Sequence, residues 1–203
     1  MPADRASLAA AELRTLRSEA AVCRACPLWK DATQTVFGEG PADARVMLVG
    51  EQPGDREDLA GHPFVGPAGR VLDEALELAG IERSSLFATN AVKHFKFRAR
   101  GKRRIHQRPS VGEIKACRPW LEGEIAAVSP SVVVGLGATA AHSLMGRATA
   151  IGANRGRPLQ SPLLDAPVLL TAHPSSILRE RERELRHAAL RNLGEDLALA
   201  ASL

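Results

Sequence analysis

The chain has 203 residues, 45% of them hydrophobic and only 3% aromatic, with a formal net charge of +4. That length builds one well-buried domain with an aliphatic core, and no apolar run approaches the ~20 residues a membrane-spanning helix needs. The N-terminus has no basic start followed by an apolar stretch, so no signal peptide is expected and the bacterial cytoplasm is the expected location.

Residues 6–20 are predicted as a helix, with Leu8, Leu13 and Leu16 near one face. Residues 45–50, RVMLVG, form a short apolar run ending in glycine, as a buried strand does. The segment AGRVLDEALELAG is helical, with Gly80 as its stop, and residues 86–90 are a second strand. Ser110 and Glu113 form a capping-box pattern that opens a helix with Ile114, Cys117, Leu121 and Ile125 on one face. Residues 131–137, SVVVGLG, are a third strand followed by a small-residue helix to Gly146, and residues 148–160 are read as a short hairpin. A fourth strand at 168–172 precedes a last helix over 181–200, with Leu185, Ala189, Leu193 and Leu197 inward.

Strands alternating with helices imply a three-layer α/β/α sandwich around a central, mainly parallel four-stranded sheet. Ligands of such sheets gather beyond the C-terminal strand ends. Four segments fall there: GEQPGD, NAVKH, GATAA and AHPSS. The last is read as a polar turn that buries little.

Charge is unevenly spread. Between Arg83 and Gly112 there is no Asp or Glu, while Arg83, Lys93, Lys96, Arg98, Arg100, Lys102, Arg103, Arg104 and Arg108 are all cationic. One strongly basic segment on an otherwise acidic body points to a localised polyanion site. The bland alternative is a solvated loop whose charge is incidental. The run GKRRIH is unusual in ending on His106, a side chain able to act as nucleophile or base near neutral pH.

Three cysteines are present. Cys23 and Cys26 have the Cys-X-X-Cys spacing that presents two thiolates to one metal or cluster. An odd count argues against a disulfide framework, and a redox pair would follow a strand rather than the first helix. Cys117 alone reads as a small buried hydrophobe. A fourth ligand is wanted; His94 is one candidate, with His62, His142 and His187 as competitors. Zinc and an iron–sulfur cluster both remain open on spacing alone.

In their shared order, CRAC, VFGEG, VMLVGEQPG, GHPFVGPAGRVLD, TNAVKHF, ACRPWL, VVVGLGATAA and HPSSIL resemble the iron–sulfur uracil-DNA glycosylases of the family-four type. The resemblance spans nearly the whole chain and implies one glycosylase-like domain over 1–203. Within it lie a cluster-binding segment at about 1–35 and a basic DNA-binding loop at about 95–109. It also implies a 4Fe–4S cluster on Cys23, Cys26, Cys117 and the residue at position 94. There the family has cysteine and this chain has His94. Two further departures, glutamine in GEQPG and the GKRRIH insertion, resemble the UdgX subgroup. Its members excise uracil and become covalently joined to the sugar through the histidine ending that insertion.

Carried onto this sequence, the resemblance implies Phe64 as the residue stacking on uracil, and Asn90 as the amide reading its edge. An amide can accept from N3–H and donate to O4, and must flip to suit cytosine. A backbone N–H near Gln52 helps hold the pyrimidine, and Asp55 and Asp58 are candidates for support. His173 donates to uracil O2 as the base departs. His106 captures the sugar, with Glu51 as its partner. Lys102, Arg103 and Arg104 clamp phosphates and order only on DNA, and Arg179 is a further phosphate contact. The expected substrate is uracil in DNA, single-stranded by preference, and the protein a monomer associated with the nucleoid. The competing readings are a turnover glycosylase and a non-catalytic iron–sulfur DNA-binding or sensor protein. No P-loop or dinucleotide glycine pattern supports a nucleotide-binding domain.

Overall fold

The structure, a computed structural model, describes residues 4–203. Helix α1 (Arg5–Ala20) is capped by Asp4, whose carboxylate accepts the Ser7 N–H. Leu13 and Leu16 turn partly inward, but Leu8 is 61% exposed. At 100° per residue, Leu8 lies about 140° round the helix from Leu13. The inward stripe runs instead through Ala9, Leu13, Leu16 and Ala20.

The central sheet contains β1 (Val46–Gly50), β2 (Phe87–Asn90), β5 (Val132–Leu136) and β6 (Val168–Thr171), all parallel, in the order β2-β1-β5-β6. Every residue of these strands is buried, as their continuous apolar runs require. Successive side chains point to opposite faces and fill two cores. Val46, Leu48, Val132, Val134 and Leu169 pack toward α3 (Pro67–Ala79), α6 (Pro174–Arg179) and α7 (Arg183–Ala201). Met47, Val49, Val133 and Leu170 pack toward α1, α4 (Val111–Val128) and α5 (Gly137–Met145). The expected three layers are therefore present. The chain leaves β1 toward one side and β5 toward the other, so the switch in strand order opens a crevice beyond their C-terminal ends.

Helix α4 begins as the capping box predicts. The Ser110 Oγ accepts the Glu113 N–H at 3.3 Å and the Glu113 carboxylate accepts the Ser110 N–H at 2.6 Å. Gly80 closes α3 in the left-handed conformation.

Several expectations need correction. The basic segment, expected as a loop, is an antiparallel hairpin of β3 (Phe97–Arg100) and β4 (Arg103–His106). Its two-residue turn places Gly101 at φ 57°, the backbone a tight hairpin turn asks of glycine. Residues 148–160 form turns in place of a hairpin, with Leu159 making one bridge to Val168. Glycines 152 and 156 and Pro158 interrupt that stretch, which is instead tied down by Arg155 on Asp196 at 3.1 Å. The HPSS segment is a short helix, α6 (with Pro174 at its first position), that buries Pro174 and Ile177. In α7, Leu193 and Leu197 are buried and Ala189 packs beside them, while Leu185 is 51% exposed near the helix start.

Candidate active site

A cavity of about 1010 Å³ opens at the crevice. Glu51, Gln52, Asp55, Phe64, Asn90, His106, His173 and Arg179 all line it. They come from the loop after β1, the start of α2 (Asp55–Ala60), the turn before α3, the ends of β2 and β4, and both ends of α6. Lys102 and Arg103 lie on the exposed hairpin outside it.

His173 is the N-cap of α6. Its Nδ1 accepts the Ser175 backbone N–H at 3.1 Å and lies 2.9 Å from the Ser175 hydroxyl. A backbone N–H can only donate, so Nδ1 is the acceptor and the ring proton of the neutral imidazole sits on Nε2. Burial pushes the His173 pKa down to about 4, and nearby Arg179 and His106 lower it further. The ring is thus a neutral Nε2–H donor at physiological pH.

Glu51 follows β1 directly. Its Oε2 accepts the Thr139 hydroxyl at 2.5 Å, and its Oε1 lies 3.3 Å from His106 Nε2. Thr139 is buried in the first turn of α5, so the carboxylate is held from the sheet while its free oxygen meets the hairpin. His106 is half-exposed and packs at 6.1 Å, centroid to centroid, from Phe95, which itself stacks on Phe97.

Gln52 has an unforeseen role. Its amide nitrogen donates to the carbonyls of Lys96 and Gln107, at 3.2 and 3.0 Å, and its amide oxygen accepts the Lys96 N–H at 3.1 Å. Residues 96 and 107 are the two feet of the hairpin. The glutamine side chain therefore ties both feet to the end of β1 and is not free to hydrogen-bond a base through that amide. The GEQPG departure was the sequence signal, although nothing in the sequence says what the glutamine grips.

Strand pairing separates the GKRRIH cations. Phe97 pairs with His106 and Ala99 with Arg104, so these four share the inward face, while Arg98, Arg100, Arg103 and Ile105 share the outward one. Arg104 binds Asp55 Oδ1 through Nε at 2.5 Å and Asp58 Oδ2 through Nη1 at 2.6 Å. Its guanidinium also lies 5.1 Å from the Phe97 ring centroid. Asp58 is fully buried and also accepts the Thr33 N–H. In place of the expected phosphate clamp, Arg104 has its charge matched by carboxylates, and it anchors the hairpin. Of the nine cations in the basic segment, Arg83, Lys93, Lys96 and Arg104 are paired with carboxylates. Arg98, Arg100, Lys102, Arg103 and Arg108 are exposed and make no ion pair among the described residues.

Asn90 is buried and ends β2. Its carbonyl accepts from Lys93 Nζ at 2.8 Å, and Lys93 is paired inside the core with Glu124 at 2.5 Å. Glu124 also accepts the Thr89 hydroxyl and the Gly38 N–H, both at 2.8 Å, so the ion pair is fully hydrogen-bonded. Thr139, Lys93 and Glu124 were not foreseen as site residues; for Lys93 and Glu124 the sequence signal was a charge within an otherwise buried segment, and Thr139 offered none.

The cysteines lie away from this cavity. Cys117 on α4 accepts the Lys93 backbone N–H at 3.2 Å, and Cys23 accepts the Trp120 indole N–H at 3.2 Å. Burial pushes the Cys117 thiol up to about 11 and also raises Cys26. His94 is buried, with Nε2 3.0 Å from the Thr35 hydroxyl. That hydroxyl gives its proton to the Ala20 carbonyl, so Nε2 donates and Nδ1 keeps its lone pair. Nδ1 is buried and without a hydrogen-bond partner. Among the described residues, no three His, Cys, Asp or Glu side chains converge as on a single ion.

The fold and cavity define an α/β protein with a large cleft at the C-terminal edge of a parallel sheet, between a cationic hairpin and a helix-capping histidine. The uracil DNA glycosylase superfamily profile matches residues 37–198, and the chain belongs to that superfamily. It is 40% identical over 172 residues to the type-4 uracil-DNA glycosylase of Thermotoga maritima, covering 84% of this chain and 85% of the relative. It is 38% identical over 164 residues to the type-4 enzyme of Pyrobaculum aerophilum, covering 78% and 80%. A third type-4 relative, from Saccharolobus solfataricus, is 34% identical over 173 residues, covering 82% and 77%. No helix among the described residues is long and apolar enough to cross a membrane.

Proposed function

We propose that this protein is a uracil-DNA glycosylase of the type-4 kind whose His106 captures the sugar it creates, making the reaction single-turnover. The carrying observation is the 3.3 Å approach of His106 Nε2 to Glu51 Oε1 in the cavity that also holds Phe64, Asn90 and His173. A flipped uracil stacks on Phe64 and meets the Asn90 amide. The N-glycosidic bond breaks with its electron pair leaving on the base, and the Nε2–H of His173 stabilises the charge on O2. One nitrogen of the His106 ring gives its lone pair to the electron-poor C1′ and the proton on the other passes to Glu51. The uracil anion then takes up a proton from solvent.

A turnover enzyme needs water at that carbon. Imidazole is the stronger nucleophile, and the anchored hairpin presents it at high effective concentration. Lys102, Arg103 and Arg179 contact phosphates of the strand, which is single-stranded by preference, and the protein acts as a monomer. DNA repair is the setting that follows.

Cys23, Cys26, Cys117 and His94 fit a 4Fe–4S cluster. Cys23 and Cys117 accept the N–H···S bonds that suit thiolate ligands. The buried lone pair of His94 Nδ1, with Nε2–H held by Thr35, matches the hydrogen-bonding of a ligating histidine. A cluster held by these residues would tie the N-terminal segment to α4 and to the turn after β2.

Denaturing gels test the reading. Incubation with uracil-containing single-stranded DNA gives a band that resists SDS and heat, and His106→Ser loses that band while still releasing an abasic product. An unchanged cross-link in His106→Ser would falsify the assignment, and free abasic product from the native protein would favour the turnover reading. Brown colour lost together with iron and sulfide in Cys117→Ala checks the cluster.

A further inference from the structure

Phe64 has the backbone of a glycine. Its φ is 57°, in the left-handed region that a bulky side chain rarely enters. Such residues persist only where surrounding structure holds them, and they collect at functional sites. Three features do so here. The Phe64 carbonyl presses against Gly69, where a Cβ would stand 1.7 Å from its oxygen. Buried Glu57 accepts the Gly66 N–H at 3.0 Å, fixing the chain two residues on. Arg83 spans the turn itself, with Nη2 donating to the carbonyls of Pro63 at 3.3 Å and Phe64 at 3.2 Å. Its Nη1 is held by Asp73 of α3 at 2.5 Å.

Arg83 belongs to the basic segment by sequence, yet its guanidinium is spent on a peptide turn and a carboxylate. We propose that Arg83, tethered by Asp73, is a positioning residue for base stacking: it holds the turn at Pro63 and Phe64 so that the Phe64 ring stands ready against a flipped base. The inference rests on the reading of Phe64 as the stacking residue. An arginine suits this task because one nitrogen of its planar guanidinium serves two adjacent carbonyls while another faces the carboxylate. A DNA-bound arginine would instead face outward, as Arg98 and Arg103 do.

The experiment is single-turnover uracil release from a single-stranded oligonucleotide across a range of enzyme concentrations. It compares the native protein, Arg83→Ala, Phe64→Ala and the double variant, with thermal midpoints for each. Arg83→Ala lowers the saturating rate about tenfold, the size expected for losing hydrogen bonds from a charged donor. In the Phe64→Ala background the same change costs less than about twofold, because the ring it positions is gone. Arg83→Lys recovers part of the rate. Asp73→Asn, a surface change that keeps the guanidinium, gives a smaller loss that also vanishes without Phe64. The salt dependence of binding stays the same in Arg83→Ala.

Equal losses in both backgrounds, no loss in either, or a flattened salt dependence would overturn the proposal. Should Phe64→Ala itself leave the rate unchanged, the stacking reading fails first, whatever Arg83 does.

Discussion

His173 and His106 face one cavity but are held in opposite ways. His173 caps a helix that continues from the central sheet, and a backbone N–H decides which of its nitrogens carries the proton. His106 ends a two-stranded hairpin that reaches the site through Gln52 at its feet and Arg104 on its inner face. In the proposed reaction the first ring waits, neutral and fixed, for charge to develop on a departing base. The second has to reach a carbon that becomes electron-poor only as the base leaves. A donor aimed at developing charge gains from rigidity, whereas a nucleophile gains from local concentration. On that proposal the molecule places the donor on its core and the nucleophile on an appendage pinned at two points.

The contrast breaks most sharply at His173. His173→Ala lowers the rate of uracil release by about 10²–10³-fold, the cost of one such donor. Adduct formation falls by the same factor, since capture follows excision; time courses of release and cross-linking measure both. Gln52→Ala acts on the other histidine alone. Freed at its feet, the hairpin loses alignment, so the cross-linked fraction falls about tenfold relative to abasic product while uracil release persists. Equal losses of both products in Gln52→Ala would show that the glutamine serves the base pocket instead.

A pH series sharpens the comparison from the side of stability. The His173 pKa is depressed to about 4 in the folded protein, below the ordinary histidine value of 6.5. The folded state thus binds fewer protons here than the unfolded state at mildly acidic pH. Its contribution is fully present above about pH 6.5 and is lost as pH falls toward 4. Urea unfolding at pH 7 and pH 4.5 should show the native protein losing on the order of 1–2 kcal/mol more than His173→Asn. Smallest of all is the effect that separates the hairpin's two faces. Lys102→Ala and Arg103→Ala each reduce the salt slope of DNA binding by about one unit. Arg104→Met leaves that slope unchanged and lowers the thermal midpoint, because buried Asp58 loses its cation.

How much was legible depends on how local the signal is. The four strands, the capping box of α4 and the glycine stop of α3 follow from short-range pattern and cap chemistry, and the structure has them within a residue or two. The order of motifs along the chain led to Glu51, Phe64, Asn90, His106 and His173, which the cavity unites. The errors came where pattern was masked. Charged and turn residues crowd positions 97 to 106 and hide the period-two alternation of Phe97, Ala99, Arg104 and His106. Leu8 and Leu185 read as inward because they are leucines, although the helix phase puts one of them on the solvent side and the other lies near an exposed helix start.

By itself, the sequence determined the fold class, the buried strands and the identity of the chemical groups, because hydrophobic period and cap residues act over a few positions. Only the tertiary structure decided which cations are spent inside the protein and which face outward. It also decided that Gln52 grips a hairpin and that Arg83 grips the Phe64 turn. These are pairings between residues 10 to 55 positions apart, made by hydrogen bonds whose partners no local pattern specifies.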